Sequence, residues 1–184
     1  MDVIAILESH LTGEALRVVV THGRAVAGLA LAAARGLALP EAELGFIAEA
    51  AMLHDIGVCR VELAGLGLHA GQPYIMHGIL GREILEGEGL PRHALVCERH
   101  IGVGLTLDDI VKQGLPLPLR DMTPQCLSEE IICFADLFFS KDPARLEQMK
   151  PVEQVRVKLA AFGADKVRIF DAWMARFGAA LGSG

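Results

Sequence analysis

Apolar residues recur at steps of three and four along most of the chain, which is the spacing of a helix with one buried face. The first such run extends from about residue 14 to residue 35 and predicts a long helix with Gly36 as its stop. A second run begins after Pro40 and finishes with His54-Asp55-Ile56-Gly57, so a histidine and an aspartate fall in its last turn. Both polar residues follow a long apolar stretch, where a buried side chain needs a partner.

The helical pattern fails between Val58 and Tyr74, where three glycines and a proline interrupt it, and this segment is predicted to be a loop beside the site. Beyond it, Thr106 to Asp109 has the form of a capping box, Ser128 is a candidate cap, and Asp142-Pro143 offers a cap followed by a first-turn proline. The predicted helices after the loop cover residues 75–87, 91–100, 106–113, 128–139 and 151–177. No strand alternation of useful length interrupts them, so the chain is predicted to be all-α.

Composition and the N-terminal sequence bear on the size of the core, on membrane contact and on the location of the protein. The chain has 184 residues, of which 52% are hydrophobic and 22% charged, which predicts a large helical core or a buried partner surface such as that of a homodimer. The longest uncharged apolar run, residues 25–34, is about half of the roughly 20 residues that span a bilayer, so no membrane contact is expected. The N-terminus begins Met1-Asp2-Val3 without a basic leader, and a cytoplasmic location is therefore expected.

The net charge narrows the range of ligands. A formal charge of −6 disfavours a surface for duplex nucleic acid, which needs clustered Lys and Arg, and favours a small ligand. The four cysteines form no CxxC pair and are expected to be reduced thiols.

Several polar residues stand in apolar helices, and each has an ordinary explanation when taken alone. His22 and His54 are compatible with hydrogen-bonded core histidines, and Asp55 with a helix end that faces solvent. Asp136 lies in a helix that is apolar all round and could pair with a nearby basic residue. His77 and His100, at helix ends, are compatible with surface or capping roles.

Taken together, these residues resemble the HD superfamily of metal-dependent phosphohydrolases, whose defining pattern is H…HD…D. The match to the HDIG variant of the motif at residues 54–57 is literal. Met76-His77-Gly78 and Arg99-His100-Ile101-Gly102 supply the two further histidines of the bimetallic branch. The resemblance implies a single HD-type helical domain over residues 1–184, with the motif-bearing core at about 14–141 and a C-terminal helical extension at 143–178.

The resemblance also implies which ligands would hold which ion. Four of them would hold one ion: His22, His54, Asp55 and Asp136. His77 and His100 would hold a second ion, with Asp55 as the bridge between the two. Ligands of imidazole and carboxylate without thiolate suit one or two divalent transition metals, namely Fe, Mn, Co, Ni or Zn. The nucleophile would then be a metal-bound hydroxide, and no Ser or Cys triad would be needed.

Four residues are candidates for contact with substrate. Some relatives have a lysine shortly after HDIG; here Arg60 is the candidate substitute. His93 is expected either to touch a substrate phosphate, or to lie at the surface or contact a metal ligand without touching substrate. Ser140 and Lys141, one turn beyond Asp136, are expected either to donate to a phosphate or to form a solvated helix end.

The leading hypothesis is a phosphohydrolase that acts on a nucleotide or another small phosphorylated metabolite. A di-iron oxygenase of the same superfamily, acting on a polyol or phosphonate, shares the ligand set and is the first alternative. A metal-binding regulatory module without turnover is the second.

Overall fold

The computed structural model describes residues 1–182. Within them the regular secondary structure is helical apart from one small sheet, which confirms the predicted fold class. The helices are α1 (Val3–His10), α2 (Gly13–Gly36), α3 (Glu41–Leu53), α4 (His77–Gly87), α5 (Pro91–Arg99), α6 (Leu107–Gln113), α7 (Leu127–Asp136), α8 (Val152–Ala160) and α9 (Ala164–Phe177). Single 3₁₀ turns cover Ile56–Arg60, Ala64–Leu66, Tyr74–Met76 and Gly178–Gly182. The antiparallel strands β1 (Glu62–Leu63) and β2 (Leu68–His69) lie between α3 and α4.

The long helix α2 is the axis of the fold because two separate apolar cores pack against it. Its N-terminal half joins a core with α1, α4, α5 and the 3₁₀ turn after α3, and includes Val18 and Val19. Its C-terminal half, from Val26 onward, joins a core with α3, α7, α8 and α9. His22 therefore lies at the seam between the two cores, where the other polar residues of the HD pattern also meet.

By length and composition α2 could also cross a membrane. An 18-residue window within Gly13–Gly36 has a mean hydropathy of 1.3, and half of that window is buried inside the protein. The helix is longer than the uncharged run at residues 25–34 because its backbone continues without a break through the polar residues His22 and Arg24.

Gly57 allows α4 to pack closely against the segment that follows α3. A Cβ atom at Gly57 would lie 2.0 Å from the carbonyl oxygen of His77 and 2.4 Å from the amide nitrogen of Gly81. A Cβ atom at Gly78 would lie 2.7 Å from the carbonyl oxygen of Cys97 on α5. Only glycine permits such close backbone contacts. The expectation that Gly57 ends a helix is therefore wrong: α3 already ends at Leu53, and Gly57 allows two segments to pack.

Helix starts and ends near the site differ from the sequence predictions in two places. Ser128 is not the cap of α7; the cap position is Cys126, and the Ser128 hydroxyl donates to Glu43 Oε2 at 2.6 Å. The helix predicted to reach residue 139 ends at Asp136. Asp136 is thus the last helical residue, and the chain turns away directly after it.

The C-terminal part departs further from the prediction. Asp142-Pro143 does not start a helix: the Asp142 side chain accepts from the Ala144 amide at 3.0 Å, which closes only a turn. The single helix predicted for residues 151–177 is two helices, because Gly163 has φ +146° and breaks the chain between α8 and α9. Apolar residues recur on both sides of this break, so periodicity alone did not reveal it. The short helix α1 and the small sheet were also not predicted.

Candidate metal centre

The six residues of the HD pattern converge from five helices and form two overlapping groups. In each group, one possible ligand atom per residue lies within 4.8 Å of the others. The first group is His22, His54, Asp55 and Asp136, and the second is Asp55, His77 and His100. Asp55 belongs to both groups. This is the partition that the resemblance implied, while the role of these residues as metal ligands stays a prediction.

Helix ends place most of these side chains. His54 is the C-terminal cap of α3, His77 the first residue of α4, His100 the C-terminal cap of α5, and Asp136 the last residue of α7. Only His22 comes from the middle of a helix. The ends of helices carry unpaired backbone groups, which are available to orient the side chains beside them.

Three histidines are oriented in the same way. Their Nδ1 atoms lie 2.7–2.8 Å from carbonyl oxygens three residues earlier in the chain: His54 on Ala51, His77 on Tyr74, and His100 on Cys97. Because a carbonyl only accepts, Nδ1 carries the proton in each neutral ring and the Nε2 lone pair faces the centre. This is the arrangement in which histidines bind metals.

The Nε2 atoms of His77 and His100 lie close enough together to need a cation beside them. They lie 3.0 Å apart, although each presents a lone pair when its Nδ1 is protonated. Two acceptors at this distance repel unless a proton or a metal ion lies beside them. The donor set itself therefore calls for a positive charge at this point.

The buried carboxylate of Asp55 also needs positive charge beside it. Its side chain is 1% exposed; Oδ2 faces the Lys141 ammonium at 2.7 Å, whereas Oδ1 has no hydrogen-bond partner among the described residues. Oδ2 lies 3.1 Å from His54 Nε2 and 3.3 Å from His22 Nε2, whereas Oδ1 lies 3.5 Å from the Nε2 atoms of both His77 and His100. One oxygen thus faces each group. A buried carboxylate oxygen that lacks a hydrogen bond is costly, and a cation bound beside it removes that cost.

The two groups differ in their electrostatics. Burial alone would lower the pKa of His54, but the carboxylates of Asp55 and Asp136 outweigh it and raise the pKa to about 10. Burial, together with the adjacent His100, lowers the pKa of His77 to about 3. The pKa values of Asp55 and Asp136 lie well below the usual range despite their burial, because histidines and Lys141 surround them. The cluster of His and Asp side chains as a whole is suited to a divalent metal ion.

Lys141 and Ser140 lie beside the cluster. The Lys141 ammonium is 2.7 Å from Asp55 Oδ2 and 5.9 Å from the centre of the Tyr74 ring, and Tyr74 in turn packs on His77 at 4.6 Å between ring centres. The Ser140 hydroxyl accepts from the Asp142 amide at 3.1 Å. Both residues line the cleft that leads to the cluster.

The structure does not bring His93 and Arg60 to the cluster. His93 packs its ring on Phe46, with 4.9 Å between the ring centres, and its Nε2 lies 3.4 Å from Glu49 Oε2. Arg60 pairs with Glu83 at 3.5 Å and is about half exposed. Neither residue is among those that line the cleft. For His93 this favours the expectation of a role away from the substrate, and Arg60 does not lie where it could replace a lysine at the cluster.

Two buried glutamates support His100 and were missed by the sequence analysis. Glu98, 3% exposed, accepts from Arg120 at 2.6 and 2.8 Å and also from Arg82 on α4. Arg99 donates to the buried Glu129 on α7 at 2.9 and 3.1 Å. The residues just before His100 are thereby fixed to the helices that carry His77 and Asp136. Glu98 and Arg99 stand directly before His100 in the chain, which was an available signal, but the sequence did not reveal their partners.

A cleft of about 820 Å³ connects the cluster to the C-terminal part of the protein. His77, His100 and Asp136 line it on one side, and α8 together with the loop before it lines another. Asp136 is the most accessible member of the cluster, with 16% of its side chain exposed, whereas the others are nearly fully buried. A ligand would therefore reach the cluster from this cleft.

Comparison with known proteins identifies the pattern. A family model described as HD domain matches residues 19–139, about two thirds of the chain. That range contains all six residues of the cluster.

Three curated relatives are similar to part of the chain. A tRNA (cytidine(56)-2'-O)-methyltransferase of Thermoplasma volcanium is 31% identical over 149 residues, which is 80% of this chain and 39% of that protein. An uncharacterized protein of Methanocaldococcus jannaschii is 35% identical over 52% of this chain and 50% of its own length. A tRNA (cytidine(56)-2'-O)-methyltransferase of Picrophilus torridus is 34% identical over 52% of this chain and 25% of its own length. The matched segments thus cover half or less of each relative, and no solved structure gives a significant match.

Proposed function

This chain belongs to the HD domain family, and from that membership we propose that it is a metal-dependent phosphohydrolase acting on a nucleotide or another small phosphorylated metabolite. The observation that carries the proposal is the buried cluster of four histidines and two aspartates, whose inward-facing donor atoms lack enough protein partners. Hydrolytic metal centres need such a set of imidazole and carboxylate ligands.

We further propose that two ions bind, one in each group, with Asp55 shared between them. His22, His54 and Asp136 would complete the first site, and His77 and His100 the second. Divalent ions at these sites would supply a water-derived nucleophile at neutral pH and neutralise charge on the phosphoryl oxygens. The metals suited to these ligands are Fe, Mn, Co, Ni and Zn.

The protein itself would bind and orient the substrate. Lys141 lies beside Asp55 at the inner end of the cleft, where its ammonium can pair with a phosphoryl oxygen. Ser140 lies next to it and offers a hydroxyl donor. The apolar cores on both sides of the cluster exclude bulk water from the ligands, which strengthens electrostatic interactions there.

The names of the relatives are a reason to test nucleotides first. Two of them have names that refer to tRNA, although this chain matches less than half of either protein. We propose that the matched segment contributes a hydrolytic activity on a nucleotide or on a phosphate at an RNA end, separate from methyl transfer.

The experiment is a substrate screen on protein purified with its metals retained. The panel contains phosphomonoesters, nucleoside triphosphates, cyclic nucleotides and RNA ends bearing phosphates, each assayed with and without a chelator. We expect chelator-sensitive release of phosphate or of a new RNA end, lost in Asp55→Asn and retained in His69→Ala, a histidine whose side chain is 67% exposed. The absence of metal-dependent turnover on all of them would contradict the proposal, and oxygen consumption with a bound di-iron centre would replace it.

A further inference from the structure

The cleft is much larger than a phosphate group requires. Its volume of about 820 Å³ lies within the range of about 300–1,000 Å³ in which proteins enclose whole small molecules. Only part of its wall comes from the metal-type cluster; the rest comes from α8, the loop before α8 and the turn after it. A substrate whose phosphate reaches the cluster can therefore extend along this second wall.

The cleft is basic although the chain is acidic. Five Lys and Arg side chains line it, against the two carboxylates of Asp136 and Asp142, whereas the whole chain has a net charge of −6. The five are Lys141, Arg145, Lys150, Lys158 and Lys166. Positive charge is thus concentrated where the proposed substrate would lie, which attracts an anion.

Three of these cations already have protein partners. Lys141 pairs with Asp55, and Lys150 donates to the carbonyl oxygens of Leu137 and Phe139. Lys166 is buried and pairs with Asp109. These contacts hold the three side chains in the wall of the cleft, two of them against carboxylates and Lys150 against neutral carbonyls.

Arg145 and Lys158 are the two that remain available. Arg145 is two-thirds exposed, and its nearest carboxylate oxygen, on Asp142, is 3.8 Å away. Lys158 is exposed on α8 and makes no ion pair or hydrogen bond within residues 1–182. An exposed pair at such a distance contributes little stability, so these charges can bind a ligand at little cost to the fold.

Apolar side chains are exposed on the same wall. Met149, Val157 and Phe162 are 46%, 64% and 56% exposed, and all three line the cleft. Phe162 lies in the turn between α8 and α9. An exposed aromatic ring near free cations suits a flat base attached to phosphates, because bases stack on aromatic side chains while phosphates pair with Lys and Arg.

We propose that this wall, formed by Arg145, Lys158 and the apolar side chains around Phe162, binds the non-reacting part of a nucleotide that carries a phosphate in addition to the one hydrolysed. The proposal rests on the proposed hydrolysis at the cluster and names its substrate class. Arg145 and Lys158 bind the additional phosphate, and Phe162 contacts the base. Compounds that carry a single phosphate and are too short to reach the wall would bind without any contribution from it.

The test compares binding and turnover in two matched double variants. Arg145→Glu with Lys158→Glu reverses the charges on the wall. Arg17→Glu with Lys112→Glu makes the same chemical changes at exposed positions that do not line the cleft. The binding probe is a fluorescently labelled, non-hydrolysable ATP analogue followed by anisotropy, and the short substrate is p-nitrophenyl phosphate. Thermal melts verify that all variants fold.

We expect the wall variant to bind the ATP analogue at least about tenfold more weakly, and the control variant to bind like the parent. Phe162→Ala should weaken the same binding by about tenfold through loss of stacking. The kcat/KM for p-nitrophenyl phosphate should stay within about twofold in every variant. Failure of the parent protein to bind the analogue, or equal affinity in the wall and control variants, would overturn the proposal.

The two proposals fail in different ways. If no phosphorylated compound is hydrolysed but the analogue binds and the wall variant loses it, the phosphohydrolase proposal is wrong and the nucleotide subsite stands. If phosphate compounds are hydrolysed with metal dependence while charge reversal leaves nucleotide binding and KM unchanged, the subsite is wrong and the hydrolase stands.

Discussion

The two ligand groups share Asp55 but differ in their balance of charge. The first combines two histidines with two carboxylates, and in it the pKa of His54 rises to about 10. The second has two histidines and only the shared carboxylate, and in it burial and His100 lower the pKa of His77 to about 3. The first group would therefore offer a bound cation two carboxylates, whereas the second would offer only the shared carboxylate and two closely placed imidazoles. We expect an ion to bind more tightly to the first group than to the second.

The largest effect is expected from the residue that the groups share. Asp55→Asn keeps the shape of the side chain but removes the charge that faces both groups. Metal affinity should fall by more than about 100-fold at both sites, beyond the usual cost of losing a residue that only supports a ligand. Metal content after dialysis, measured by mass spectrometry, checks this result. Retention of either ion at parental affinity would show that Asp55 does not bridge.

The groups can next be separated by removing one ligand from each. His77→Ala should leave one ion per chain, because the first group keeps all four of its residues. Asp136→Asn should lose the tight ion, because the first group keeps only one carboxylate. His69→Ala, in an exposed pair with Glu62, is the control and should retain both ions. Identical metal content in His77→Ala and Asp136→Asn would break the distinction between the groups.

A smaller effect is expected from the support of the second group. Glu98→Gln removes the buried charge that connects the segment before His100 to Arg82 and Arg120. The second ion should bind about tenfold more weakly, which is the lower end of the affinity loss seen when a residue that supports a metal ligand is removed. The affinity for the first ion should not change. Calorimetric metal titration separates the two sites.

Glu86→Gln is the matched control for that titration. Glu86 also accepts from Arg82, at 2.8 Å, but it is about half exposed, so its loss should matter little. Equal weakening of both ions in Glu98→Gln, or the same effect in Glu86→Gln, would argue against a specific role in placing His100.

The smallest effect is expected at Lys141. Its ammonium lies 2.7 Å from Asp55 Oδ2 and competes with a cation for that oxygen. Lys141→Met should therefore bind the first ion about fivefold more tightly, which corresponds to about 1 kcal/mol of lost competition. At the same time KM for a phosphorylated substrate should rise. Weaker metal binding would contradict competition and would indicate that Lys141 instead supports the ligand geometry.

The sequence predicted more of the site than of its surroundings. His22, Asp55 and Asp136 stood out because a polar side chain in an apolar helix needs a partner, and the order of the histidines connected them. The contacts of Glu98 and Arg99 could not be predicted, because their partners lie on other helices and local periodicity carries no information about them. The packing role of Gly57 was hidden for the same reason.

The C-terminal wall of the cleft was predicted least well. A single helix was expected from residue 151 to residue 177, yet Gly163 divides it and places Phe162 in an exposed turn. Apolar periodicity continued through the break because both helices pack against the same core. Lys141 was expected to contact a phosphate or solvent, and its pairing with Asp55 depends on the turn after Asp136, which the sequence did not reveal.

If Asp55 joins two metal sites of unequal strength, the sites should fill one after the other as the metal concentration rises. The most direct measurement is an anomalous-scattering map from a crystal soaked at increasing manganese concentration. We expect a first peak among His22, His54, Asp55 and Asp136 at low concentration, and then a second among Asp55, His77 and His100, about 3.5–4 Å away. A peak that appears first beside His77 and His100, or two peaks without Asp55 between them, would contradict it.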